Sequence, residues 1–433
     1  MKRKILILAS WYPSEASPVN GIFIHDQAVA LSREYDVAVL APRLVGWREI
    51  FKKKIRAAAR PQSWVENVAQ ASRLQTRCLR YPPVSEALRA ASGLEQTAGL
   101  PVYGDRVFSL VPGAPALAYP RWDRAARRGF VKSLKYWGKP DLIHAHVVLP
   151  GGWAAVKLGR QYSIPVVLTE HSSPFSIHLK TEYQRRWVRD TLVQADRVVA
   201  VSPALAKTIR GFHDGIAIDV VGNLIKTQFF VPAVNSGDAS PQSKTRFLSI
   251  ALLTKQKGLS DLLQAARLLV QRGISSFELV IGGDGPERVE LERLVKSLDL
   301  SNHCRFLGLL APQEVRHWMQ HSDALVMPSL HETFCIVLGE AMACGKPVIA
   351  TRCGGPEFVV TPETGILVEA ANPGALANAM ADFIRGRLQY DSQSVRHSVV
   401  ERFGEAAFLK NIFTLYEEVW ALKAKSDLHA QIT

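Results

Sequence analysis

ALVMPSLHETFCIVLGEAMACGKPVIAT, residues 324 to 351, sets an apolar strand, a polar loop, a helical run closed by Gly345 and a second apolar strand in succession. Two strands joined through a helix pair in parallel by a right-handed crossover, so this stretch belongs in a parallel α/β sheet. The same alternation recurs on both sides of it. Strands are expected at 5–9, 37–41, 142–146, 166–169, 198–201, 247–251, 278–282, 304–307 and 366–368, and helices at 24–34, 259–272, 287–297 and 374–384. Between the two halves, VPAVNSGDASPQSK (231–244) lacks periodicity and is rich in Pro, Ser, Gly and Ala, which reads as a linker. The expectation is two doubly wound Rossmann-like domains, 1–230 and 245–400, facing each other across a cleft. A helical segment at 401–433 would pack back on the N-terminal domain.

The quoted stretch also carries two carboxylates, Glu332 in the loop and Glu340 in the helix. A strand-loop-helix turn aims unpaired backbone N–H groups at the crevice, and phosphate binds such helix starts. A diphosphate cradled at Phe334, Cys335 and Ile336 would have a carboxylate on each side. Carboxylates accept well from hydroxyl pairs, so Glu340 would hold a ribose and Glu332 a sugar beyond the phosphates. A nucleotide sugar has that shape. By spacing alone the alternative stands equal: one Glu facing the helix dipole and another exposed on the helix surface.

Composition narrows the class. The chain has 433 residues, 47% of them apolar, enough for a core in each of two or three domains. MKRKILILASWYP has a basic start, but its apolar run is shorter than a secretory signal requires, and no stretch approaches a membrane span. Five cysteines (Cys78, Cys304, Cys335, Cys344, Cys353) without CxxC spacing indicate neither a disulfide framework nor a zinc site, and suggest a reducing cytoplasm. The net charge of +14 is concentrated: residues 43–135 hold 18 Lys/Arg against 6 Asp/Glu. In this basic insertion Trp47, Phe51, Trp64, Tyr81, Trp122, Phe130, Tyr136 and Trp137 alternate with cations. It would suit an anionic membrane, an acidic substrate or nucleic acid, or simply be a solvated helix face.

Beyond the Glu pair, PSLHETFCIVLGEAMACGKPVIATRCGGPEFV resembles the signature of retaining family 4 glycosyltransferases of the GT-B fold: Glu-x7-Glu, E-A-x-A-x-G-x-P-V and a Gly-Gly turn, here Gly354-Gly355. LLTKQKGLSDLLQA, LVIGGDGPE, RFLGLL, SDALVMPS and TGILVE follow the family in order, as do WYPSEASPVNGIFIHDQAVAL, PDLIHAH, VVLTEH and ADRVVAVS before them. The resemblance is dense after residue 245 and sparse at 43–135. It implies a nucleotide-diphosphate sugar donor, a hydroxyl acceptor such as a lipid-linked glycan of bacterial surface polysaccharide, and retention of anomeric configuration. It further implies Glu332 on the donor sugar, Glu340 on the ribose, Lys257 on the diphosphate with Lys255 as rival, and donor contacts from Gly283 and Gly21. His146 at a strand end would meet the donor sugar, whereas an isolated His-x-His would more readily be core histidines or a metal pair. His171 would touch the acceptor. Two departures stand out: relatives carry an Arg where Leu252 or Ala251 stands, and two glycines where Asn20 and Gly21 stand.

In such an enzyme the leaving diphosphate gains charge as the glycosidic bond loosens, and Lys257 answers it. The two glutamates are then not a hydrolase acid and nucleophile. Without an Asp-x-Asp motif no metal or other cofactor is expected. Three rivals remain: a nucleotide-sugar epimerase of the same fold, a phosphorylase with a pyridoxal lysine, and a non-catalytic nucleic-acid binder. The last leaves the donor signature unexplained, so no nucleic-acid partner is expected. The basic segment would instead hold the enzyme at the cytoplasmic membrane face through Lys52, Lys53, Lys54, Arg56, Arg60, Arg124, Arg127 and Arg128.

Overall fold

The computed structural model describes residues 2–13, 20–46, 99–109, 115–233 and 244–432. One parallel sheet takes β1 (Lys4–Ala9), β2 (Asp36–Leu40), β4 (Val102–Tyr103), β6 (Leu142–His146), β7 (Val166–Glu170), β8 (Arg197–Ala200) and β9 (Ile218–Val220). Their spatial order is β4-β2-β1-β6-β7-β8-β9, while β3 (Arg43–Gly46) and β5 (Arg106–Ser109) pair separately. A second sheet takes β10 (Thr245–Ile250), β11 (Phe277–Gly282), β12 (Cys304–Gly308), β13 (Ala324–Met327), β14 (Val348–Arg352) and β15 (Gly365–Glu369). Its order, β12-β11-β10-β13-β14-β15, is all parallel and reverses direction between β10 and β13. That reversal is the switch point where ligands of doubly wound sheets bind.

Helices in the N-terminal half are α1 (Ile22–Leu31), α2 (Pro115–Tyr136), α3 (Trp153–Tyr162), α4 (Glu182–Gln194) and α5 (Pro203–Phe212). Those that follow are α6 (Leu259–Gln271), α7 (Arg288–Ser297), α8 (Pro312–Gln320), α9 (Ile336–Ala343), α10 (Pro356–Val359), α11 (Pro373–Ile384), α12 (Ser392–Phe403) and α13 (Glu405–Ile432). The expected strands and helices all appear, within two or three residues at their ends. The sequence reading lacked β3, β4, β5 and β9, which at two to four residues are too short to show a period.

By contact density the chain forms two compact units: Met1–Val166 with Thr181–Thr191, and Val167–Lys180 with Leu192–Thr433. In the first, Ile5, Leu6, Ile7 and Leu8 of β1 are fully buried, as a strand covered on both faces requires. Each such side chain contributes roughly 1.5–3 kcal/mol of burial free energy. Here the aromatic residues of the basic segment are not what their spacing suggested. Trp122 and Phe130 are core residues, Trp122 Nε1 donating to Pro42 O at 2.7 Å, and Trp137 Nε1 donates to Asp36 Oδ1 at 2.7 Å. Burial of the apolar face of α2 outweighed exposure of its rings. Arg127 bonds Asp123 and Gln161, and Arg128 and Lys132 bond Asp105, while Arg124 is exposed. Lys52, Lys53, Lys54, Arg56 and Arg60 lie outside the described residues, as do Trp47, Phe51, Trp64 and Tyr81.

In the second unit, α6 and α11 cover one sheet face with a core of Phe247, Leu262, Leu263, Leu269, Phe277 and Met380. Phe334, Phe358 and Phe403 meet edge to face at 5.1–6.3 Å, and Arg402 lies over the Phe403 ring at 4.6 Å. A Cβ on Gly222 would stand 2.7 Å from the Phe403 ring and 2.9 Å from that of Phe334, so a side chain there has no room. On α13, Glu418 pairs with Arg197 of β8 at 2.7 Å. Arg396 of α12 gathers three carbonyls: Phe230 O at 2.9 Å, Thr227 O at 2.9 Å, and Ala343 O at the end of α9. Arg396→Ala strands those acceptors, and we expect a loss of about 2–4 kcal/mol in urea-unfolding free energy. An unchanged unfolding midpoint would show that water replaces the guanidinium without cost.

Candidate active site

The loops after β10 and β13 meet at the switch point of the second sheet. Gly258 closes the first in the left-handed region (φ 62°), and a Cβ there would lie 2.1 Å from Pro328 O. Only glycine lets the loop rest on that carbonyl, which brings the preceding Lys257 against the loop after β13. Lys257 Nζ donates to Glu332 Oε1 at 2.6 Å, and Ser329 Oγ donates to the same oxygen at 2.9 Å. Ser329 O in turn accepts from Thr351 Oγ1 on β14. Lys255, the rival, is exposed. Of the two positions where the resemblance led one to look for an Arg, Leu252 is 62% exposed and Ala251 half-buried, and Lys257 is the cation the structure places beside Glu332.

Glu332 is 7% exposed, and its backbone is clamped between strands. Its N–H donates to Cys353 O at 3.2 Å and its carbonyl accepts from Gly355 N at 2.8 Å. A Cβ on Gly355 would lie 2.3 Å from Phe334 N, so the Gly-Gly turn exists to let the 332–334 backbone lie upon it. Burial by itself would lower the Lys257 pKa, but the Glu332 charge beside it, then the nearby Cys335 and the hydrogen bond to Glu332, hold it raised. Burial, then the charge of Glu332, drives the Cys335 thiol well up, and burial puts Cys353 at about 12. Both thiols are therefore neutral at physiological pH.

Cys335 adopts a left-handed conformation (φ 72°, ψ 71°) and turns the chain into α9. Because of that turn the helix starts at Ile336, and Glu340 lies little more than one turn in. Glu340 is half-buried. The N–H groups of Phe334, Cys335 and Ile336 meet no acceptor among the described residues, leaving donors and a helix dipole for an anion. Gly283 (φ 120°) does a different job in the fold. A Cβ on it would lie 1.8 Å from Ala251 O, so it packs the loop after β11 onto the loop after β10.

His171 follows β7. Its N–H donates to Glu170 Oε1 at 2.9 Å, and its carbonyl accepts from Thr333 Oγ1 at 2.9 Å. Gln256 bridges from Ser173 Oγ at 2.9 Å to His331 O at 3.2 Å. These bonds fasten the 171–173 turn to the Glu332 loop. In the first unit, Gly21 (φ 72°) opens α1, and a Cβ there would lie 2.4 Å from Trp11 O. His146 ends β6 fully buried, stacked on His144 at 4.4 Å as alternate residues of one strand should be. Ser10 Oγ donates to His146 O at 3.0 Å and accepts from Gly151 N at 2.8 Å. Ser329, Thr351, Ser10 and Glu170 were not foreseen. A lone Ser, Thr or Glu has no spacing signal, although Ser329 and Thr351 both stand inside the quoted stretch.

Family models match this chain along most of its length: Glycosyltransferase Family 4 over residues 21–229 and Glycosyl transferases group 1 over residues 236–402. The chain belongs to the GT-B glycosyltransferases. It is 31% identical over 245 residues to an uncharacterized glycosyltransferase of Methanocaldococcus jannaschii, covering 56% of this chain and 65%, just under two thirds, of that protein. It is 28% identical to N-acetyl-alpha-D-glucosaminyl L-malate synthase of Bacillus anthracis, over 64% of this chain and 75% of that one. A putative teichuronic acid biosynthesis glycosyltransferase of Bacillus subtilis is 26% identical over 88% of this chain and 89% of its own. In fold, the chain is similar to sucrose-phosphate synthase from Thermosynechococcus elongatus (TM-score 0.71, 19% identity, 97% of this chain and 100% of that one). It is likewise similar to Anabaena Alr3699/HepE in complex with UDP (TM-score 0.68, 18% identity, 96% and 100%).

Burial lowers the His144 pKa to about 3, so the ring stays neutral in the fold while an unfolded chain protonates it near the ordinary histidine value of 6.5. The folded value is depressed, so this stability is present above about pH 6.5 and is lost as pH falls towards 3. We expect the unfolding free energy to drop with acid by up to about 1.4 kcal/mol per pH unit more steeply in the wild type than in His144→Asn. Parallel urea-unfolding series between pH 6.5 and 4 check this, and equal slopes would contradict it.

Proposed function

We propose that this glycosyltransferase moves a hexosyl group from a nucleoside diphosphate sugar to a hydroxyl of an anionic or lipid-linked glycan acceptor, with retention of anomeric configuration. The observation that carries the reading is the Lys257–Glu332 ion pair at the switch point, beside the unpaired amides that open α9. Without donor, the two charges satisfy each other. A diphosphate competes for Lys257 and for the Phe334, Cys335 and Ile336 amides, which frees the Glu332 carboxylate for sugar hydroxyls. Glu340 then takes the ribose. As the bond to the anomeric carbon loosens, Lys257 and the α9 dipole meet the charge growing on the leaving diphosphate. The acceptor hydroxyl enters on the same face and the leaving phosphate takes its proton. His146 shields the developing oxocarbenium charge, and His171 borders the acceptor.

The UDP complex of the Anabaena neighbour supports a nucleotide donor. Malate and teichuronic acid, in the names of two relatives, are anionic, which agrees with the basic composition of residues 43–135. The name of the second of these supports a role in surface polysaccharide assembly.

In this reading Glu332→Gln and Lys257→Ala each lower kcat/KM by a factor equivalent to roughly 2–4 kcal/mol, and Lys257→Ala, which leaves the buried Glu332 carboxylate without its cation, also lowers the melting temperature. Transfer persists in EDTA, because Lys257 and the backbone amides supply the countercharge. Full activity in both variants would remove the site assignment. Loss in EDTA with recovery in Mg²⁺ or Mn²⁺ would replace the charge model by a metal one.

No described helix is long and apolar enough to cross a membrane. Peripheral attachment to the inner membrane face would use the outer stripe of α2, where Leu117, Val131 and Tyr136 are 54%, 55% and 71% exposed and Arg124 and Lys135 lie among them. Sedimentation with phosphatidylglycerol vesicles is expected, weakening with salt and in Arg124→Ser/Lys135→Ser. Equal recovery with purely zwitterionic vesicles would count against attachment.

A further inference from the structure

Four aromatic residues of the first unit gather away from its core. Tyr119 lies near the start of α2, Trp153 opens α3 just after the loop that follows β6, and Tyr183 and Trp187 stand one turn apart on α4. The Trp153 and Trp187 indoles stack with centroids 4.6 Å apart and planes 30° from parallel. Tyr183 meets Trp187 edge-on at 5.2 Å, and Tyr119 leans on it at 6.2 Å. Lys157 Nζ sits 3.7 Å from the Trp153 ring centroid and pairs with Asp123 at 2.8 Å.

The polar tips of these rings distinguish the cluster from a core. Trp122 and Trp137 of the same unit each donate their indole N–H to a protein acceptor. By contrast, the indole N–H groups of Trp153 and Trp187 and the hydroxyls of Tyr119 and Tyr183 have no hydrogen-bond partner among the described residues. All four rings are half-buried, so part of each surface faces solvent. Buried indole and phenol tips find partners, and none of these four tips is a buried unpartnered atom, so all four are open to solvent and within reach of a ligand.

Trp187 and Lys157 already cover Trp153, so the cluster offers a ligand the solvent-facing parts of Trp187, Tyr119 and Tyr183 together with four polar tips, and a pyranose brings both a C–H face and hydroxyls to such a surface. A lipid chain would leave four donors dry, and a bare phosphate would ignore the rings. We propose that Tyr119, Trp153, Tyr183 and Trp187 form a carbohydrate platform that holds a sugar ring of the acceptor. The platform lies where Trp153 follows the carboxyl end of β6, the strand that ends in His146, and ligands of parallel sheets bind at such ends. This rests on the transferase reading above and specifies its acceptor: the enzyme extends an existing glycan.

The test is a printed array of bacterial oligosaccharides probed with the labelled full-length protein, with UDP, GDP and ADP titrations run on the same preparations. The wild type should retain at least one glycan class. Trp187→Ala should reduce that signal at least tenfold, and Tyr119→Phe/Tyr183→Phe, which removes only hydroxyls, severalfold, with nucleotide affinity and melting temperature held. No glycan retained, or equal retention by both variants, overturns the platform. Trp187-dependent retention on phosphatidylglycerol vesicles without glycan binding also overturns it, in favour of a membrane contact. A wild type that binds no nucleotide defeats the transferase reading, whereas glycan retention still decides the platform.

Discussion

A lysine ammonium and a buried glutamate 2.6 Å apart impose the constraint around which the second sheet is organised. Taking two charges out of water is expensive, and an ion pair seldom offsets it alone. The fold compensates with Ser329 as a further donor to Glu332, and with Thr351 fixing the Ser329 carbonyl. Three glycines at 258, 354 and 355 let backbones approach closer than any Cβ would allow. Phe334, locked against Phe358 and Phe403, then holds the loop in place. A pair so supported is pre-organised for a ligand that carries the opposite charge to the lysine, because binding exchanges one partner for another without moving the scaffold.

The two sides of the chemistry are built differently. At the proposed donor site the groups on offer are charges and backbone amides at loops whose course is dictated by glycine, so small changes in backbone path displace them. The first unit presents rings and cations on helices: the stacked pair Trp153 and Trp187, Lys157 over one of them, and the outer stripe of α2. Helix faces tolerate substitution without loss of fold, which suits a surface whose partner differs between enzymes. In the GT-B glycosyltransferases the sparse agreement of residues 43–135 with the family pattern fits that division.

The parallel α/β architecture, the longer strands and the helices α1, α6, α7, α9 and α11 were legible in the sequence, because apolar runs of four to six residues alternating with helical periods admit few other folds. So was the motif of the candidate donor site, since Glu332, Glu340 and the Gly-Gly turn stand at fixed spacings in one continuous stretch. What only the tertiary structure decided concerns partners distant along the chain. Lys257 and Glu332 are 75 residues apart, and no local spacing says that one cation rather than Lys255 meets the carboxylate. The left-handed Cys335 sets the start of α9 at Ile336 and with it the depth of Glu340, a backbone choice invisible to periodicity. The aromatic residues show the limit most clearly: Trp122 and Phe130 read as surface and are core, while Trp153 and Trp187 drew no notice and stand half in solvent. Composition records how much apolar area a segment carries, but which face of a helix buries it is settled only when the neighbouring elements pack.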